Sequence, residues 1–151
     1  MNVENIMTKQ PVCCGPSDTV QHVAQMMRQN DIGAMPVVSD LVSKDLVGII
    51  TDRDLCITAM ADGRDPRTTP IVDYFTKTVV TCTPDDSLEL CEQKMKQHRV
   101  RRIPVVDKKN ECVGMVVQAD LARVDKAESF LEMVAEISRP SAKRAVPLAV
   151  A

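Results

Sequence analysis

Residues 47–55 read Val-Gly-Ile-Ile-Thr-Asp-Arg-Asp-Leu, and residues 113–121 repeat the pattern as Val-Gly-Met-Val-Val-Gln-Ala-Asp-Leu. Each stretch predicts a buried strand that leads straight into a helix, because an apolar run is followed by polar residues. The similarity extends outward until Val3 to Leu55 recur, residue type by residue type, as Ile71 to Leu121. Such an internal repeat decides an architecture, and two copies predict two similar units packed about a pseudo-two-fold axis.

The spacing of the repeat is regular enough to place its boundaries. Pro36 and Pro104 are 68 residues apart, whereas Gly48 and Gly114 are 66 apart, so one loop is two residues longer in the first copy. Asp62-Gly63 and the charged residues after it are typical of a linker. The predicted organisation is a first motif at 1–62, a linker at 63–69, a second motif at 70–123, and a C-terminal helix and tail at 124–151.

Each copy predicts a helix followed by a hairpin and a second helix. Asp18 and Asp86 are predicted to start the first helix of each copy, since Gln21 and Glu89 follow at capping-box spacing. After the second copy, the apolar residues of 127–138 predict an amphipathic helix that Pro140 stops. The last residues, 141–151, are expected to be mobile or docked on a partner subunit.

Composition excludes several classes of function. The formal charge is −2, so the chain lacks the positive surface that binds nucleic acid or acidic membranes. One Tyr, two Phe and no Trp argue against base-stacking platforms for single strands. No apolar run is long enough to span a bilayer, and residues 1–7 do not resemble a signal peptide. The sequence therefore predicts a cytoplasmic protein without nucleic-acid or membrane partners.

The six cysteines leave two alternatives open. No Cys-x-x-Cys pair is present, which favours buried apolar thiols in a reducing compartment. The alternative is a zinc or thiol-redox site seeded by the adjacent Cys13 and Cys14.

Taken together, the repeated motifs resemble the CBS-domain pair, also called a Bateman module, over about Val3 to Arg123. The fragments that carry the resemblance are Val3 to Thr8, Asp31 to Val38 and Val47 to Leu55 in the first copy, and His98 to Asp107 and Val113 to Leu121 in the second. The chain is most similar to small standalone bacterial CBS-pair proteins, including those of hypoxic and stress responses. The resemblance implies an α/β (α+β) fold of tandem CBS domains, each a small sheet flanked by helices.

The resemblance also implies two clefts between the copies, each able to hold an adenine nucleotide or a related adenosyl ligand. In the family, Gly, two apolar residues and Thr or Ser-x-x-Asp mark the strand-to-helix junction. The Asp takes the ribose hydroxyls, and the Thr hydroxyl with the helix N-terminus faces the phosphate. The other copy contributes its early strand and the residues just before its Pro.

In the predicted first cleft, Thr51 and Asp54 match the family signature completely. The facing copy is expected to supply an apolar adenine slot, and Arg101 and Arg102 for phosphate. An ordinary N-cap is the alternative role of Thr51. The predicted first-cleft residues are Ile49, Thr51, Arg53, Asp54, Thr78, Val80, Val100, Arg101 and Arg102.

The second cleft matches the signature only in part. Asp120 is kept, but Val117 stands where Thr is expected, and Gly33 and Ala34 stand at the positions of the two arginines. We therefore expect a weaker or empty cleft without a basic group. Its predicted residues are Val12, Ala34, Met115 and Asp120.

These observations predict a non-enzymatic regulatory protein of the energy-sensing or stress-response kind. Its expected ligand is AMP, ADP or ATP, with S-adenosylmethionine possible, and no cofactor is obligatory. It is expected to form a homodimer through helix faces that include Phe130, Leu131 and Val134, and to signal to an unknown effector protein. Sequence motifs for a catalytic triad, a phosphate loop or a zinc protease are absent. The alternatives are a structural dimerisation module with empty clefts and a metal or thiol-redox protein.

Overall fold

The computed structural model describes residues 1–124 and 126–140. The first copy contains α1 (Val20–Asn30), β2 (Ala34–Val38), β3 (Leu46–Thr51) and α2 (Asp52–Asp54), preceded by the short strand β1 (Thr8–Lys9). A π-helical segment, Leu55–Met60, continues α2. The second copy contains α3 (Leu88–His98), β4 (Arg102–Val106), β5 (Cys112–Val117) and α4 (Gln118–Leu121), and α5 (Ala127–Ile137) follows it. The predicted mixed α/β fold of two similar units is confirmed.

The N-cap of the first helix in each copy lies one residue after the predicted Asp. Thr19 caps α1, because its hydroxyl oxygen accepts a hydrogen bond from the N–H of His22 at 3.2 Å. Ser87 caps α3 in the same way. The Asp18 carboxylate accepts instead from the N–H of Gly15 at 2.8 Å, so it closes the preceding turn rather than the helix.

The two hairpins have the same register. In the first, Ala34 lies opposite Thr51, and in the second, Arg102 lies opposite Val117. The residue that starts the leading strand of each hairpin therefore lies beside the junction at which the returning strand enters a helix. This pairing places the candidate ligand residues of each copy at one end of its sheet.

The segment that precedes the first helix of each copy, which we call its leading segment, pairs with the sheet of the other copy. Thr8 of β1 pairs with Met115 of β5, in the second copy, while Thr76 exchanges backbone hydrogen bonds with Ile49 of β3, in the first copy. The apolar cores follow the same exchange. Val3 is buried in the core of the second copy, and Ile71 in that of the first.

Two apolar cores and a smaller cluster between them hold the units together. The first core lies under β2 and β3, and the second lies under β4 and β5. The third cluster joins the copies where both hairpins turn, and the N–H of Leu46 donates there to the carbonyl of Asn110 at 3.0 Å. Its residues are Val38, Leu46, Val106 and Cys112, with Cys13 and Val79 against them.

Helix α5 belongs largely to the second core rather than to an open dimer face. Met133 is fully buried and Ile137 is 6% exposed. Of the three residues predicted for dimerisation, Phe130 packs against this core, Val134 is half-buried, and only Leu131, at 65%, is well exposed. Residue 133 lies on the buried face because α5 packs along α3.

Polar contacts also fix α5 on α3. The hydroxyl of Ser129 donates to Oε2 of Glu92 at 2.6 Å, and Glu92 is only 5% exposed. Arg99 pairs with Glu136 at 3.6 Å. Because a charged, buried acceptor is costly to leave without donors, these contacts hold α5 in place.

No helix within the described residues is long and apolar enough to cross a lipid bilayer. The predicted tail at 141–151 lies outside the described residues.

Candidate ligand-binding cleft

A cavity of about 810 Å³ lies between the two copies, at the junction of β5 and α4. Small-molecule sites commonly have volumes of about 300–1,000 Å³. It corresponds to the cleft that the sequence predicts as the second and weaker one. Three of its four predicted residues, Val12, Ala34 and Met115, line the cavity.

The walls are composite, as the repeat predicts. The early segment and the start of the first hairpin supply one wall, and the β5–α4 junction supplies the other. The first-copy residues on the wall include Gln10, Pro11, Val12, Asn30, Asp31, Ile32, Gly33 and Ala34. The second-copy residues include Met115, Val117, Gln118, Ala119 and Ala122, and Phe130 is added by α5.

The expectation that this cleft holds no basic group is wrong. Arg101 and Arg102, which the sequence assigned to the first cleft, line the cavity. The physical reason is the hairpin register, because Arg102 lies opposite Val117 and the N–H of Gln118 donates to the carbonyl of Arg101 at 2.9 Å. Asp31 is the one acidic residue among those lining the cavity, so its walls carry an excess of positive charge.

Arg102 lies at the boundary of the two clefts. A Cβ atom on Gly33 would lie 3.2 Å from Nη2 of Arg102 and 3.0 Å from Oδ2 of Asp52. Asp52 begins α2, which belongs to the junction of the first cleft. The Arg102 guanidinium and the Asp52 carboxylate therefore both lie next to Gly33. They occupy the space that a larger side chain at position 33 would need.

The two signature aspartates cap their helices equivalently. Oδ2 of Asp54 accepts from the N–H of Thr51 at 2.9 Å, and Oδ2 of Asp120 accepts from the N–H of Val117 at 2.9 Å. The first copy has a second, reciprocal hydrogen bond, in which the hydroxyl oxygen of Thr51 accepts from the N–H of Asp54 at 3.1 Å. Asp120 is not among the lining residues, and Nη1 of Arg123 donates to its Oδ1 at 3.5 Å.

The remaining residues predicted for the first cleft hold the repeat positions that correspond, in the other copy, to residues lining the cavity. Val80 and Val100 pack at the edge of the second core, as Ile32 does at the first. Ile49 is half-buried in β3, and Arg53 and Thr78 are exposed. The assignment of these residues to ligand binding stays a prediction.

Several lining residues escaped the sequence prediction. Gln118 and Ala119 fall within the repeated junction motif, so mapping Asp52 and Arg53 onto the second copy would have found them. Phe130 has no counterpart in the first copy, because α5 lies outside the repeat. Nothing in the repeat could have indicated it.

Within the described part of the chain, no group of three or more His, Cys, Asp or Glu side chains is arranged to hold a metal ion. Burial raises the pKa of Cys14 to about 12, and the nearby Asp18 and Cys13 act in the same direction. A protonated, buried thiol is a poor metal ligand. Among the described residues, Cys13 and Cys14 have no third ligand beside them, and a metal or thiol-redox role for them stays a prediction.

Comparison with known proteins gives a consistent result. A family model described as the CBS domain matches residues 3–59 and 71–127. The CBS domain-containing protein YhcV of Bacillus subtilis is 40% identical over 121 residues, which are 80% of this chain and 83% of the relative.

Solved structures agree with the sequence relatives. The crystal structure of Hypoxic Response Protein I with two coordinated zinc ions is 33% identical, with a TM-score of 0.75, and the match covers 83% of this chain and 100% of that one. The CBS domain pair of protein MJ0100, in complex with 5'-methylthioadenosine and S-adenosyl-L-methionine, is 28% identical with a TM-score of 0.72. That match covers 82% of this chain and 94% of the other.

Proposed function

This chain belongs to the CBS-domain family, and we propose that it is a regulatory module that binds an adenosine-containing ligand between its two copies. The observation that carries the proposal is the composite cavity of about 810 Å³, with apolar walls and two arginines. The structure of MJ0100, a relative whose CBS pair is in complex with two adenosyl compounds, supports the ligand class.

The walls suit the parts of such a ligand. Val12, Ile32 and Met115 offer apolar surface for the base. Asp120 does not line the cavity, and its carboxylate accepts from the N–H of Val117 at the start of α4, so it would have to turn toward the ligand to accept the ribose hydroxyls. Arg101 and Arg102 would bind an anionic group such as a phosphate, for which a guanidinium is well suited. The first cleft, with Thr51 and Asp54, is the alternative site.

The signal would follow from the composite walls. A ligand that touches both copies favours the arrangement in which both walls fit it, and it shifts the population toward that arrangement. We propose that the chain forms a homodimer and that an effector protein binds the two arrangements of this dimer with different affinity. The proposed role is non-enzymatic; the match to the CBS domain-containing protein YhcV, which covers 83% of that relative, is consistent with a chain made of little more than the CBS pair.

Calorimetric titration with S-adenosylmethionine, AMP, ADP and ATP tests the proposal on the native chain, Asp120→Ala and Asp54→Ala. Both variants lose the same 2.9 Å cap, so each serves as the stability control for the other. Loss of a charged hydrogen bond removes about 1.5–3 kcal/mol, which weakens binding by about 10- to 150-fold. We expect this loss in Asp120→Ala and unchanged affinity in Asp54→Ala.

The opposite pattern would move the site to the first cleft. If none of the four ligands gives heat at protein concentrations at which micromolar binding must show, the alternative of a structural dimerisation module with empty clefts gains support.

A further inference from the structure

Cys13 and Cys112 bring one thiol from each copy into contact. Cys13 lies in the extended run before α1 and is half-buried, whereas Cys112 opens β5 and is 1% exposed. Cys13 packs against the cluster that contains Cys112, where the two thiols influence each other. Each thiol also donates to a nearby carbonyl, Cys13 to that of Pro11 at 3.3 Å and Cys112 to that of Gly114 at 3.6 Å. They are 99 positions apart in the chain, so their contact is made by the packing of one copy on the other.

The backbone on both sides of this contact is fixed. The N–H of Cys112 donates to the carbonyl of Lys44 at 2.8 Å. On the other side, the N–H of Cys14 donates to the carbonyl of Pro36 at 3.0 Å, and the N–H of Val38 donates to the carbonyl of Cys14 at 2.9 Å. Cys112 therefore lies in an anchored strand, and Cys13 directly precedes a residue whose backbone is anchored, which restricts both thiols as a bond of narrow geometry requires.

Charge and access favour reaction at this pair. The neighbouring Cys112 thiol lowers the pKa of Cys13 below its usual value; desolvation opposes this shift, and the Lys44 ammonium supports it. The same contact and burial raise the pKa of Cys112 well above its usual value, so Cys13 is the nucleophile of the pair. A lowered pKa makes a thiol a better nucleophile at neutral pH. Cys112 lines a second, smaller cleft of about 270 Å³, together with Lys44 and Glu111.

We propose that Cys13 and Cys112 form a reversible disulfide that joins the two copies, with an organic disulfide of the glutathione class as the oxidant. The Cys13 thiolate attacks one sulfur of the oxidant, which forms a mixed disulfide and releases one thiolate. The Cys112 thiol passes its proton to the thiolate released in the first step, and its sulfur then attacks the Cys13 sulfur and displaces the second thiolate, which takes a proton from solvent. The protein loses two electrons and two protons, and the oxidant becomes two thiols.

The other cysteines define the selectivity. Cys82 and Cys91 also influence each other, but both lie inside the second core, at 1% and 0% exposure. Cys56 is exposed and lies on the first copy, away from this cluster. We expect the Cys13–Cys112 pair to close, Cys82 and Cys91 to stay reduced, and Cys56 to form only a mixed disulfide.

The test exposes the folded protein to oxidised glutathione and follows intact mass and disulfide-linked peptides. The Cys56→Ser protein should lose the mass of two hydrogen atoms and yield a peptide pair that joins Cys13 to Cys112. With Cys13→Ser added, that cross-link should vanish and no adduct should form at Cys112. With Cys112→Ser added instead, one glutathione should remain on Cys13.

In the native chain, uptake of glutathione at Cys56 shows that the oxidant is active. If Cys56 is modified while Cys13 and Cys112 stay reduced, or if the only cross-links join separate chains, the proposal is overturned. This outcome is measured on the native chain and does not need the Cys112→Ser variant. The proposal can therefore be refuted even if that buried substitution prevents folding. The oxidised form should also melt at a higher temperature, because the disulfide closes a long loop of the unfolded chain.

Discussion

Gly48→Ala is expected to lower the free energy of unfolding by about 2–3 kcal/mol, toward the upper end for overpacked cores. A methyl group on Gly48 would overlap Cδ2 of Phe75 and lie 2.6 Å from the carbonyl oxygen of Thr76. Neither neighbour can yield easily, since the ring is rigid and Thr76 exchanges backbone hydrogen bonds with Ile49 at 2.9 and 3.0 Å. Urea denaturation followed by circular dichroism measures the change.

Gly114→Ala is the matched control, because Gly114 holds the equivalent position in β5. A methyl group there would overlap Sδ of Met7 and lie 3.3 Å from the carbonyl oxygen of Thr8. The end of a methionine side chain can rotate away, so the loss should be about 1 kcal/mol or less. Replacing a strand glycine by alanine also lowers the conformational entropy that is lost on folding. This gain in stability is the same in both variants, so it cancels when their losses are compared. Equal losses in the two variants would refute the explanation from Phe75.

Met133→Ala is expected to cost about 2–5 kcal/mol, the range for removing a large side chain from a core. Met133 is fully buried between α5 and the second core. Leu131→Ala, on the same helix at 65% exposure, should change the free energy of unfolding by less than about 0.5 kcal/mol. Thermal and urea unfolding of both variants give the two values.

A small loss for Met133→Ala would show that α5 contributes little to the second core. A large loss for Leu131→Ala would indicate that Leu131 is covered in solution, as the dimer predicted from the sequence requires. The same two measurements therefore separate the role of α5 inside one chain from its role between chains. Repeating them at several protein concentrations adds a test of dimerisation, because stability then depends on concentration.

The hairpins and junctions could be predicted because short-range patterns control them. The Pro-Val-Val and Val-Gly runs are long enough to fix a strand, and Asp52 and Gln118 begin helices as expected. The helix starts were placed one residue early for an equally local reason. Asp18 and Thr19 are both good caps; the Asp18 carboxylate is taken up by the Gly15 N–H, which leaves Thr19 to cap the helix.

The composition of each cleft could not be read from one copy at a time. The sequence predicts correctly that both copies contribute, but the choice between clefts for Arg101 and Arg102 depends on register across a hairpin. A residue that begins a leading strand lies beside its own copy's junction, as Arg102 lies opposite Val117. Phe130 and Met133 had no repeat partner to compare with, so the packing of α5 had to be seen.

The exchange of leading segments has a consequence for synthesis of the chain on the ribosome. Thr8 and Lys9 are made early, yet their strand partner is Met115-Gly114 in β5. At usual translation rates the leading segment waits on the order of ten seconds for that partner. During this interval Val3 and its neighbours have no core to enter, whereas the last pieces of the first core, Ile71 and the Thr76 pairing with Ile49, are made well before β5. The first unit can therefore close before the second, and the first residues of the chain are among the last to find their partners.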